Sequence, residues 1–338
     1  CRSLFETISE YFKDKKLYTT PIHHTSFRNI MEKKFNSEKI NIIELNDRMY
    51  QLESFNYENC DIVVVSHLFG QDFDLSFLSE EKEKHNFIVI EDRVQGGTLD
   101  KKFSNSCVDI SLYSTGMDKR PVALGGGFVN IKNEHSELIN YIHEKIKSYP
   151  KETILNRGYE LLMKIPTYLI YNSKTFYRFL NNVVYQFNYS LLDTIQRYRK
   201  ANPGFSHDNY LLKPSNGLLK SIKNNYDNYR CIENRLTSKY NNFYKNLLTK
   251  DLIVPWSRKT PLTMYNTIFI PSTISKTYFE KYMVRNNIPI IKNPTWKVME
   301  KADEKYNNFN ESIYYLPALY NMSDNEINYL TKKVNNFF

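Results

Sequence analysis

The 338-residue sequence has no uninterrupted apolar run near the ~20 residues a membrane-crossing helix needs, which excludes a helical spanning protein. A basic start leading into an apolar stretch is also missing, so no secretory signal is expected. The first residue is Cys1 rather than Met, and the chain reads as processed or as a fragment. Cysteine is sparse. Cys1, Cys60, Cys107 and Cys231 form no C-x-x-C pair and have no histidine at zinc spacing, which removes a zinc site and a disulfide framework. Buried free thiols in a reducing, cytoplasmic compartment are the expectation. Internal repeats and low-complexity tails are absent as well.

What remains is ordinary globular material. Hydrophobic residues make up 41% and charged residues 25%, which rules out wholesale disorder. The length suits about two domains and buries a core without staples. Net charge is +9, from 46 basic and 37 acidic residues. Much of the excess lies between Lys145 and Lys200, with ten basic and three acidic residues. Such a surplus can serve nucleic acid or an anionic membrane surface. Tyrosine and lysine are abundant everywhere, which points to biased composition, so no nucleic-acid partner is expected. A membrane-surface role ranks behind a solvated helical pair.

The first 150 residues alternate helix and strand. Leu4 to Phe12 has helical apolar spacing, and Ile40 to Leu45 is a short strand. Asp61–Ser66 is β-branched on consecutive positions, as in a strand covered on both faces. Asp74 stands as an N-cap for a helix ending near His85. Strands follow at Phe87–Ile90, Asp109–Tyr113 and Gly127–Ile131, and this alternation predicts parallel pairing. The middle is helical and aromatic, broken by Pro150 and Pro166, with a turn at Ala201–Gly204. A long helix is predicted from Asn216 to Asn246. Thr267–Ile270, a helix from Tyr278 to Arg285 and a last helix from Ser323 predict a smaller α+β unit.

Ligands of open parallel sheets bind beyond the carboxyl ends of the strands. Asp92 ends one predicted strand, with Gln95 three residues on. Ser114 ends another, with Lys119 five residues later, and Gly125-Gly126-Gly127 precede the next. Singly these are weak signals: such an aspartate is often a cap, such a lysine a solvated charge, such a triplet a turn. Together, a carboxylate, an amine and a hydroxyl at one crevice suit pyridoxal phosphate (PLP), with a Schiff-base lysine, an acid on the ring nitrogen and a phosphate-binding hydroxyl.

The segments Val64–Gln71, Val89–Gln95, Ser111–Lys119 and Ala123–Gly127 resemble, in order, the landmarks of the DegT/DnrJ/StrS aminotransferases. Pro21–Thr25, Lys213-Pro214-Ser215 and Tyr314–Leu319 with Met322–Glu326 extend the resemblance over nearly the whole chain. It implies an α/β fold of the PLP-dependent transferase type (fold type I, aspartate aminotransferase-like). Residues 1–144 would form a large domain with a mainly parallel sheet, incomplete at its N-terminus. Residues 145–205 would be a helical basic and aromatic insert, and 206–338 a small α+β domain.

The resemblance implies a homodimeric, cytoplasmic enzyme moving an amino group from glutamate onto a nucleotide-linked keto sugar of polysaccharide biosynthesis. Carried over by position, Lys119 holds PLP and shuttles the proton, and Asp92 pairs with the ring nitrogen, whose charge should keep its pKa low. Gln95 lies near the ring hydroxyl. Ser114 binds phosphate with backbone N–H groups around Arg2 and Ser3. His24 stacks on the ring, His67 braces a strand end, and no metal is implied. The related dehydratases replace the lysine with histidine, so Lys119 argues against them. Departures are the histidines of the Pro21 loop, Arg93 where a small residue is usual, and the short start. They motivate the alternative of a catalytically degenerate scaffold or regulatory protein.

Overall fold

The computed structural model describes residues 1–46, 52–53, 55–68, 73–95, 103–116, 119, 125–153, 158, 162, 165–166, 169, 173–186, 191, 210–248, 266–292, 296–317, 319 and 322–338. The turn expected at Ala201–Gly204 lies outside them. The first part runs α1 (Arg2–Tyr11), β1 (Leu17–Thr19), β2 (Ile22–His24), α2 (Thr25–Lys34), β3 (Ile40–Ile42), β4 (Ile62–Ser66), α3 (Phe77–His85), β5 (Ile88–Asp92), β6 (Ile110–Ser114), β7 (Gly127–Ile131) and α4 (Ser136–Ser148). Helices α5 (Lys174–Gln186) and α6 (Asn216–Lys245) follow. The chain closes with β8 (Asn266–Phe269), α7 (Lys276–Arg285), β9 (Ile291–Lys292), β10 (Trp296–Val298), α8 (Glu304–Asn310), β11 (Ile313–Leu316) and α9 (Asp324–Asn335).

The central sheet has the order β3-β1-β4-β5-β6-β7. Pairing is parallel from β3 to β6 and antiparallel between β6 and β7. The sheet is therefore mainly parallel, as expected, with only its last strand reversed. The two ends of the link between β6 and β7 pair directly with each other. Thr115 Oγ1 donates to the Gly125 carbonyl at 2.6 Å, and the Gly125 N–H donates to the Thr115 carbonyl at 3.1 Å. A parallel return would need a crossover over the sheet face.

Alternation along the strands feeds two cores. Val64, Ile90, Ile110 and Leu112 pack with Phe5 and Ile8 of α1, Phe27 and Met31 of α2, and Leu138 of α4. Val63, Val65 and Val89 point the other way, into a cluster with Leu78 of α3, Phe243 of α6, Ile268, Phe279, Tyr314 and Leu330. A sheet covered on both faces accounts for the unbroken β-branched run at Ile62–Val65. The helix expected after Asp74 begins later, at Phe77, because Asp74 Oδ1 accepts from the Ser76 N–H (3.0 Å) and hydroxyl (2.7 Å) and closes a turn first.

The C-terminal part is laced into the first. β10 runs antiparallel to β2, setting Trp296 opposite His24, and β8, β11 and β9 form their own antiparallel sheet. Tyr306 donates its hydroxyl to Glu44 at 2.5 Å and accepts the Leu45 N–H at 2.8 Å. The middle segment leaves and returns at one clasp: the Lys213 N–H donates to the Pro150 carbonyl (2.8 Å), and the Glu152 N–H to the Lys213 carbonyl (3.3 Å). Among the described residues no helix is long and apolar enough to cross a membrane.

Candidate active site

Strand β5 ends on two adjacent carboxylates that alternation sends to opposite faces. Asp92, 2% exposed, shares the sheet face of Ser66, its register partner on β4. Ser66 Oγ donates to Asp92 Oδ2 at 3.4 Å, and the Val94 N–H donates to Oδ1 at 2.9 Å, which turns the chain away from the strand. Burial pushes the Asp92 carboxyl up to about 6, and the Val94 N–H, the Lys119 ammonium, His67 and Ser66 pull against it. Lys119 is itself buried, at 8% exposure, with its N–H on the Gly116 carbonyl at 3.0 Å. The predicted acid and amine are thus within electrostatic reach of one another. The upward shift differs from the low value expected, since that expectation placed a cationic ring against the carboxylate.

Glu91 supports the strand end from below. Its carboxylate accepts from His67 Nε2 (3.0 Å), the Ser104 N–H (3.1 Å), and the hydroxyls of Ser104 and Ser111. The Phe73 N–H donates to His67 Nδ1 at 2.9 Å, which assigns the His67 proton to Nε2, facing Glu91. Burial works to raise the Glu91 carboxyl, yet the His67 hydrogen bond, with Arg93 and Ser104, holds it down at about 2. The bracing role expected of His67 has this geometry. Arg93 bears on the same network: its Nη1 donates to the Tyr113 hydroxyl at 2.9 Å, and its guanidinium lies 5.5 Å from that ring's centroid.

The other predicted residues fall around the same strand ends. Gln95 is buried, and its side-chain oxygen has no hydrogen-bond partner among the described residues. Ser114 is half-buried opposite Gly127. A side-chain carbon at Gly127 would lie 2.6 Å from the Cys1 nitrogen, so the start of α1 abuts the β6–β7 ends and brings Arg2 and Ser3 to the same edge. Arg2 lies over the Tyr210 ring at 5.1 Å, and the Ser3 carbonyl accepts from Thr7 Oγ1 at 2.8 Å. Gly126, at φ +78°, takes a left-handed conformation that side chains disfavour.

His24 caps α2: its Nδ1 accepts from the Ser26 N–H at 3.2 Å, and its ring stands edge-on to Trp296 at 6.5 Å. His23, its neighbour, is linked by hydrogen bonds to the Asp92 strand end. Its Nε2 meets Thr19 Oγ1 at 2.7 Å and Thr20 Oγ1 at 3.1 Å, and Thr20 Oγ1 accepts the Ser66 N–H at 3.2 Å, one step from Asp92. Burial lowers His23 to about 3. The Thr20–Ser66 link and the Glu91 donors gave no sequence signal, because each joins residues 13 to 46 positions apart.

This donor set fits pyridoxal phosphate. A buried carboxylate lifted by desolvation gains from a cationic ring nitrogen, a buried primary amine lies within its electrostatic reach, and the Gln95 amide oxygen meets no donor among the described residues. The fold is that of the PLP-dependent sugar aminotransferases. Spr1654 from Streptococcus pneumoniae, assigned as a sugar aminotransferase and solved in its PMP form, is similar over 99% of this chain and 85% of its own, at 11% identity and a TM-score of 0.66. PseC from Helicobacter pylori, an aminotransferase of pseudoaminic acid biosynthesis, covers 100% of this chain with 83% of its own, at 13% identity and TM-score 0.61. A DegT/DnrJ/EryC1/StrS aminotransferase from Brucella abortus gives 99%, 83%, 10% and 0.59 for the same measures. The sequence matches no protein-family model and no curated protein.

Proposed function

We propose that this chain is a PLP-dependent aminotransferase that moves an amino group from glutamate to a nucleotide-linked keto sugar, working as a homodimer. One observation carries the reading: a buried lysine and a buried aspartate stand in electrostatic reach at the carboxyl ends of a parallel sheet, in the fold of the sugar aminotransferases. The cofactor, when bound, supplies an electron sink for bond breaking at the amino-bearing carbon. Lys119 would hold it through Nζ and would carry a proton at that atom. The Asp92 carboxylate would hold the ring nitrogen protonated. Ser66 and the Val94 N–H fix that carboxylate in place. Ser114 Oγ and the N–H groups at the start of α1 take the phosphate. His24 covers the ring, and Gln95 takes its hydroxyl.

The test is spectroscopic. Protein incubated with pyridoxal phosphate should gain visible absorbance that Lys119→Ala removes while its circular dichroism stays unchanged. Glutamate should then bleach the band. Unchanged absorbance in the variant would refute the lysine assignment, and a band that glutamate leaves intact would favour the scaffold reading.

A further inference from the structure

Strands β4 and β5 are cross-linked at their carboxyl ends on both faces of the sheet. On one face Ser66 Oγ donates to Asp92 Oδ2 at 3.4 Å. On the other, His67 Nε2 donates to Glu91 Oε2 at 3.0 Å. The backbone joins the same stretch between them, with the His67 N–H on the Asp92 carbonyl at 3.1 Å. Glu91 then carries the tie across to β6, where its register partner Ser111 donates a hydroxyl to Oε1. Ser104, ahead of β6, adds its N–H at 3.1 Å and its hydroxyl.

An ionised carboxylate offers about four acceptor sites, and four donors fill those of Glu91. The group is fully buried, where such bonds are strong and a lost one is costly. Ligands of a parallel sheet bind at these strand ends. A buried carboxylate that grips β4 and β6 from β5 therefore sets the spacing of what the three strands present there. Glu91 does not share the Asp92 face, because alternation turns the two side chains apart. Its effect passes through β4, where His67 directly follows Ser66, the residue whose hydroxyl bonds the Asp92 carboxylate.

We propose that Glu91 is a positioning residue for the cofactor: by gripping His67 and Ser111 it holds β4 and β6 against β5, and so keeps the Ser66 hydroxyl where it orients Asp92. The inference rests on the aminotransferase reading and adds to it a residue that acts from the opposite face of the sheet.

The experiment is a double-mutant cycle on pyridoxal phosphate affinity, read by absorbance titration into wild type, Glu91→Gln, Asp92→Asn and the double variant. Glu91→Gln should weaken binding about tenfold, and the double variant should stay within about twofold of Asp92→Asn, since an acid already displaced has little left to lose. A merely structural role would instead make the two losses multiply. Ser111→Ala removes one donor and keeps the carboxylate, so it covers the case in which Glu91→Gln fails to fold. Its own cycle with Asp92→Asn should show the same non-additivity on a smaller scale. Losses that multiply in either cycle, or wild-type affinity in a folded Glu91→Gln, would overturn the proposal alone. A wild type that takes up no cofactor would overturn the aminotransferase reading and this inference with it.

Discussion

Asp92 and Glu91 are neighbours with opposite electrostatics, and the difference is countable in donors. Asp92 has two hydrogen-bond donors in a dry setting, and its carboxyl is pushed up to about 6 from 3.8. The folded protein therefore holds that proton more tightly than the unfolded chain does. Ionisation at neutral pH costs the cofactor-free fold roughly 3 kcal/mol, and the cost disappears as pH falls below the unfolded value. Asp92→Asn should accordingly stabilise the cofactor-free protein, with a gap over wild type in urea melts that widens from pH 5 to pH 8. The same variant should bind pyridoxal phosphate more weakly. A gap independent of pH would contradict the assignment. Glu91 has the reverse sign. Held near 2 against a reference of 4.5, it contributes stability that is present above the unfolded value and fades as pH drops from 4.5 toward 2. Glu91→Gln aims an amide N–H at groups that already donate, and should cost about 3 kcal/mol at pH 7, measured by urea unfolding.

At the scale of elements, glycine and caps decide. Gly127 is closed in by the Tyr113 carbonyl and Cys1, so Gly127→Ala must pry β7 from β6 or from the start of α1. It should lower the melting temperature and weaken cofactor binding together, because Ser114 is its register partner. Ser215 accepts the Leu218 N–H at 3.3 Å at the head of α6, and Ser215→Ala should cost about 1 kcal/mol without touching cofactor affinity. The α6 span was legible from sequence, because its signals are local, whereas Ser215 was not read as a cap and the cap expected at Asp74 closes a turn instead. The strands carrying Asp92 and Ser114 were legible too, since their short apolar segments need no partner to be seen. Strand β1 was not. Three residues, Leu17–Thr19, are too few to show a period, yet they sit between β3 and β4 within the sheet. The β2–β10 pair was equally hidden, since Trp296 meets His24 only after the chain has folded back. The order of Asp92, Gln95, Ser114 and Lys119 along the chain was readable; the Glu91 network that braces them was not.

For the molecule as a whole, the larger core joins Ile22, Val63 and Val89 to Phe243, Tyr314 and Val334, so the boundary expected near residue 206 crosses a shared hydrophobic cluster. Unfolding should be a single transition, with tryptophan fluorescence and far-ultraviolet circular dichroism coincident in urea. Two separated transitions would mean that the two parts hold themselves independently. The central claim concerns one amine in that body. The most direct measurement is the mass of the chain after incubation with pyridoxal phosphate and borohydride reduction, followed by peptide mapping. The account predicts one cofactor per chain, fixed on Lys119. A chain of unchanged mass, or a label spread over surface lysines with Lys119 bare, would contradict it.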